Sequence, residues 1–264
     1  MNHTLRPLTI GELLDRTFSY YRRHFVLFFG IAVLPHLLVF GFQVAGMLAV
    51  RTAGAFLTLF WSLAFMFLYL TTVALSQGAT MIAVSEVQLG RDTTIAQAFS
   101  RIRPKLGEIL IIMFNVGIRI VIGLILFVIP GIIAVLKYAL AVPVAVLEET
   151  TVSKALERSA DLTKGHRGRI FLIYFLLTLF MMIVSMVWQF PAVALVAAFT
   201  RSVRVDQLPL WGQLLFQFGG VITQALVGPV MTIAIALVYY DERVRKEAFD
   251  LTQMMQQLDR AVSG

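Results

Sequence analysis

Two cations stand where the sequence is otherwise apolar. Residues 109–147 carry no Asp, Glu, Lys or Arg except Arg119 and Lys137. Placing such a side chain at mid-bilayer costs about 2.5–3.5 kcal/mol on insertion scales, so each needs a compensating environment. One reading puts both in a wet or polar cavity, where together they hold an anionic group such as a phosphate. The other has them snorkel to an interface or bond the carbonyls of broken helices, which Lys137 does more easily than Arg119. No acid lies within the apolar stretches, so neither cation has an evident carboxylate partner in the sequence.

The elements that must position these cations emerge from the charge map. The chain has 264 residues, 59% hydrophobic and 14% charged, with a mean hydropathy of +0.83. Soluble domains average about 45–50% apolar and about 25% charged residues, so a water-soluble globule is excluded, as is disorder. The absence of cysteine excludes disulfides and thiolate chemistry. Residues 24–50, 52–85, 170–200 and 207–240 contain no Lys, Arg, Asp or Glu, and each is long enough for one crossing. The stretch 109–147 divides at Pro130-Gly131, a turn signal, into two more. The expected fold is an all-α polytopic bundle of six transmembrane helices in one membrane domain, residues 1–264. Its spans fall near 25–50, 54–84, 109–129, 132–147, 170–200 and 209–240, followed by a helix over 241–258.

Orientation follows from the basic residues. With the N-terminus inside, cytoplasmic segments hold 17 Lys and Arg, against Arg51, Arg201 and Arg204 outside. The positive-inside rule then puts both termini in the cytoplasm. The formal charge of +7 serves insertion and attraction to anionic lipid headgroups, not nucleic-acid binding, because the basic residues are dispersed and interleaved with acids. Four arginines and two acids precede the first apolar run, a poor flank for a cleaved signal peptide.

Three segments share one pattern: TIGELLDR from Thr9, TIAQAFSR from Thr94 and TVSKALER from Thr151. Each offers a Thr N-cap, an apolar stripe and a closing Arg, and each precedes a pair of spans. Glu12 completes a capping box with Thr9. The pattern predicts an approximate threefold repeat of an amphipathic interface helix plus a hairpin. Arg16, Arg101 and Arg158 would reach headgroup phosphates.

The remaining polar residues read as structure. His36, mid-span beside Pro35, suits a packed, hydrogen-bonded role better than a proton relay. Gln213, Gln217, Gly220, Gln224 and Gly228 recur at helical spacing and suggest a close-packing, interhelix hydrogen-bonding face. Pro143, Pro191 and Pro229 are expected to kink or unwind their helices. Histidines 3, 24, 36 and 166 form no zinc spacing, and no P-loop, dinucleotide fingerprint or nucleophile elbow occurs. The acid pairs Glu148-Glu149 and Asp241-Glu242 sit at span ends, where solvation or Arg pairing is the ordinary state. No cofactor or metal is expected.

The strings IPGIIAVLKYALAVPVAVLEE (129–149), ALERSADLTKGHRGRIF (155–171), YYDERVRKEAFDL (239–251) and LRPLTIGELLDRTFSYYRRHF (5–25) resemble a prokaryotic family. It is the membrane domain of glycerophosphoryl diester phosphodiesterases with its stand-alone relatives. The resemblance implies a six-span helical domain of the plasma (inner) membrane, and a basic residue at Lys137 fits the family motif. Only 24 residues follow the last span, too few for a catalytic barrel, so phosphodiesterase activity is not carried over. The expected role is binding or moving an anionic lipid or small polar solute, with Arg119 and Lys137 as contacts. An alternative is a scaffold docking a protein partner through cytoplasmic helices at 9–23, 94–106, 151–164 and 241–258. A third is an enzyme acting on phospholipid.

Overall fold

The computed structural model describes residues 7–49, 54–148, 150–200 and 208–263. His3, Leu5, Arg6, Arg51, Glu149, Arg201 and Arg204, invoked above, lie outside them. The described chain is helical: α1 (Ile10–Arg23), α2 (Phe25–Ala49), α3 (Ala55–Gln88), α4 (Ile95–Ile102), α5 (Leu106–Leu126), α6 (Val128–Lys137), α7 (Ala141–Leu147), α8 (Val152–Thr163), α9 (Arg167–Thr200) and α10 (Leu210–Ser263). A single 3-10 turn, Arg103–Lys105, joins α4 to α5, with Pro104 placed early where its missing N–H is harmless.

Six stretches are long and apolar enough to cross a membrane: α2, α3, α4 with α5, α6 with α7, α9, and α10 as far as Glu247. Their outward side chains are apolar, with Phe56, Ile125, Val26 and Phe127 all more than three-quarters exposed. Such a surface cannot face water and is what a bilayer covers. The protein is a multi-pass membrane protein.

Burial is uneven along the spans. The first half of α3 is largely exposed, whereas Ala74, Ala79, Met81, Ala83 and Val84 in its second half are buried. The same end gathers Ile170 and Ile173 of α9, nearly all of α7, and Val230 to Tyr239 of α10. Here α1, α4 and α8 attach. The core therefore sits at the ends of the spans that carry the charge.

Local signals explain the three short helices. Thr9 caps α1 and Thr94 caps α4, each in a capping box, with Glu12 and Gln97 returning the bond. Thr151 stands at the same place before α8 without a side-chain cap bond. Arg101 and Arg158, expected at headgroups, turn to carboxylates: Arg101 to Glu86 at 2.5 Å, and Arg158 to Glu148 at 3.4 Å and Glu247 at 2.8 Å. Acids at the neighbouring span ends supply these partners.

Three other expectations change. The α5–α6 hairpin reverses at Phe127, whose backbone is extended, and not at Pro130-Gly131. Pro130 falls in the first turn of α6, where no N–H is needed. Gly131 instead lets α6 lie against Gly123: a Cβ on Gly123 would come within 2.8 Å of the Gly131 nitrogen. Second, residues 241–258 form no separate helix. They continue α10, which runs unbroken for 54 residues with Pro229 inside it. Third, Gly220 meets nothing that a Cβ would touch, while Gly219 lies under the Trp188 indole and Gly46 under that of Trp61. Of the glutamines on that face, Gln213 bonds the nearby Leu208 carbonyl and Gln217 reaches Met47 across to α2.

Candidate functional site

Arg119 and Lys137 come from the two arms of one hairpin. Arg119 is eight residues before Phe127 and Lys137 ten after it, so both lie roughly 12–15 Å from the tip at 1.5 Å per residue. They are joined through Tyr138. Arg119 donates from Nη1 to the Tyr138 hydroxyl at 2.7 Å. Its guanidinium carbon lies 5.0 Å from the ring centroid, and the Lys137 ammonium lies 5.3 Å from it. One aromatic ring thus gathers two cations, each within the range of a cation–π attraction. Among the described residues neither cation forms an ion pair.

The apolar span breaks where this happens. α6 ends at Lys137 and α7 starts at Ala141, leaving Tyr138, Ala139 and Leu140 between them. Helix α8 fills the break. The fully buried Ser159 hydroxyl accepts the Leu140 N–H at 3.2 Å and donates to the Lys137 carbonyl at 3.0 Å. Thr163 donates to the same carbonyl at 3.3 Å. Two hydroxyls one turn apart satisfy a backbone that the helix abandons, the condition for irregular chain at membrane depth.

The result is an open groove of about 300 Å³, lined by Arg119, Lys137, Tyr138, Ser153, Leu156, Glu157, Ala160 and Asp161. Glu157 and Asp161 are i,i+4 neighbours on α8 and so share one face. The sequence placed Arg119 and Lys137 together but left them without acids, because the acids come from a helix outside the spans. The groove is consequently not purely cationic: two cations from α5–α6 face two carboxylates from α8. Glu157 in the third Thr-initiated segment and Asp161 just after it were the available signal for it.

A second polar cluster ties the segment before α1 to α9 and α10. Asp241 and Glu242, adjacent acids on α10, are almost fully buried. Arg169 of α9 donates to Asp241 at 2.6 Å and Glu242 at 2.8 Å. It also donates to the Leu8 carbonyl at 2.9 Å. Arg245 repeats the motif, to Asp241 at 2.8 Å and Leu8 O at 2.6 Å. The Leu8 N–H returns a 2.6 Å bond to Asp241, and His166 Nδ1 lies 2.5 Å from Glu242. The Leu8 bonds hold the segment before α1 against α9 and α10, and the Glu242 bonds hold the start of α9 against α10. The cluster is a clasp, and the Arg pairing expected of these acids is what they have. Among the described residues no group of three His, Asp or Glu is disposed to hold a metal ion.

No curated protein and no solved structure matches the chain. A family model, the membrane domain of glycerophosphoryl diester phosphodiesterase, matches residues 109–261. The match takes in the α5–α6 hairpin, the break, α8 and the clasp residues of α9 and α10; the motif at 5–25 lies outside it. No catalytic domain is matched. With more than half its length in the match, the chain belongs to the glycerophosphoryl diester phosphodiesterase membrane-domain family.

Proposed function

We propose that the protein binds a phospholipid headgroup in the groove between the α5–α6 hairpin and α8, without catalysing a reaction on it. The observation that carries this reading is the pairing of Arg119 and Lys137 on one Tyr138 ring beside an open groove. A guanidinium and an ammonium so placed suit a phosphate, the Arg by its fork and the Lys as a point charge. The Tyr138 hydroxyl fixes the guanidinium. Beyond them the hairpin tip, with Ile122, Ile125 and Phe127, is apolar and exposed, which suits acyl chains. Glu157 and Asp161 on the facing helix favour a headgroup that also carries an amine, so the anionic ligand expected from the cations alone becomes a zwitterionic one. In the proposed orientation the charged helix ends and the groove belong to the cytoplasmic side of the plasma membrane.

Native mass spectrometry of the purified protein with mixed phosphatidylethanolamine and phosphatidylglycerol tests this. The intact protein retains phosphatidylethanolamine, and the double variant Arg119→Leu/Lys137→Leu loses it while still inserting. Glu157→Gln/Asp161→Asn shifts retention toward phosphatidylglycerol. Unchanged retention in the Arg119→Leu/Lys137→Leu protein would overturn the proposal. A second reading, a scaffold that docks a protein partner, draws on α10 continuing to Ser263, well past the last crossing. Co-purification of one stoichiometric protein in place of lipid would favour it.

A further inference from the structure

A polar cavity lies among α2, α3 and α10, separate from the groove. His36 comes from α2, Ser76, Gln77 and Thr80 from α3, and Gln224 and Thr232 from α10. Spacings of four put Ser76 with Thr80, and Gln224 with Gly228 and Thr232, on single helix faces. His36 is 11 residues into α2, roughly 17 Å along it, and so deep within the hydrocarbon.

Two of its side chains have hydrogen-bonding capacity that no protein group meets. His36 is 5% exposed and Ser76 7%. The His36 Nδ1 lies 2.7 Å from the Ala32 carbonyl. A carbonyl only accepts, so Nδ1 carries the hydrogen, and in the neutral ring Nε2 is left as an acceptor. That Nε2 is buried without a protein partner, and so is the Ser76 hydroxyl. Thr232, by contrast, is satisfied by the Gly228 carbonyl at 3.2 Å. Buried polar groups in lipid surroundings are satisfied inside the protein or by ordered water.

The cavity offers about 40 Å³ to the centre of a water molecule. At 10–15 Å³ each, this admits about three waters, and a water is retained when it finds two to four polar partners. The geometry points to a bound water cluster in the middle of the spans. One water donates to His36 Nε2 and another bonds Ser76 Oγ, with Gln77, Gln224 and Thr80 completing the shell. The cluster is independent of lipid binding in the groove. It makes the contact of α2 with α3 and α10 a hydrated one, joined by exchangeable bonds.

Water-edited solid-state NMR of the full chain, ¹⁵N-labelled at histidine and reconstituted in liposomes, tests this. The His36 resonances are assigned by their loss in His36→Gln. The expected spectrum has a protonated Nδ1, an unprotonated Nε2 and rapid polarisation transfer from water to the ring. Ser76→Leu, which fills the cavity, reduces that transfer several-fold and leaves His166 unchanged; should it fail to assemble, Gln224→Leu serves the same purpose. No transfer to His36 in the unaltered protein, or transfer indifferent to the filling substitution, would overturn the inference.

Discussion

Arg169 Nη1 stands 2.6 Å from Asp241 Oδ2, a bond across 72 residues that joins the start of α9 to the end of the last span. The same nitrogen holds Glu242 at 2.8 Å. Both carboxylate side chains are buried, at 1% and 0% exposure, so the pair leans on Arg169 and Arg245 for its charge balance. Arg169→Met leaves two buried acids short of a counter-charge, and removal of one partner from such a pair costs about 3–5 kcal/mol. The variant should melt far below the unaltered protein in detergent, by circular dichroism. An unchanged melting temperature would show that the acids find water.

Within the break at Tyr138–Leu140, the Leu140 N–H depends on one hydroxyl, that of Ser159. In Ser159→Ala the Lys137 carbonyl keeps Thr163, but the Leu140 N–H loses its acceptor. An orphaned buried donor costs about 1–3 kcal/mol. Amide exchange at Leu140, followed by mass spectrometry, should rise while exchange in α2 stays the same.

Close approach of the hairpin arms sets a steric limit. A Cβ at position 123 meets Gly131 backbone at 2.8 and 2.9 Å, atoms that cannot rotate away. Gly123→Ala should therefore cost about 1–3 kcal/mol by overpacking. Gly117→Ala, in open space on the same helix, serves as the tolerated control. Equal stability of the two variants would refute the packing described.

Tyr21 on α1 supplies a pH test. Its hydroxyl is buried without a protein partner, and burial pushes it up to about 12. The folded value lies above the unfolded one, near 10, so the protonated ring favours folding below pH 10. That contribution is lost as the pH climbs from 10 toward 12. Tyr21→Phe should match the unaltered protein at neutral pH and lose less stability across that alkaline window. Parallel melting curves for the two proteins from pH 9 to 11 would argue against a buried hydroxyl.

Much of the architecture is legible in the sequence because membrane insertion is a one-dimensional constraint. Four charge-free gaps and the stretch 109–147, interrupted only by Arg119 and Lys137, locate the six crossings, and Thr9 and Thr94 locate capped helix starts. The reversal at Phe127 was not legible: Pro130-Gly131 is the stronger local turn signal, but a proline sits as well in a first helical turn. The groove was half legible. Arg119 and Lys137 stand out as charges in an apolar run, whereas Glu157 and Asp161 look like ordinary solvated acids on an amphipathic helix. Only tertiary packing, through Ser159 and the broken span, brings them opposite the cations. Partnerships such as Arg169 with Asp241 follow from the way α9 and α10 meet, which no local pattern encodes. His36 shows the same limit: its packed state was anticipated, its unmet nitrogen was not.

Helix α10 has a mechanical consequence. Beyond Asp241 it extends to Ser263, an arm of roughly 33 Å at 1.5 Å per residue. The Arg169 and Arg245 bonds grip it at the root of that arm, so they act as a fulcrum. Tilting the rod by ~10° about this point would sweep its far end through roughly 6 Å on that length scale. Any tilt of the helix at that root would thereby be magnified at its far end.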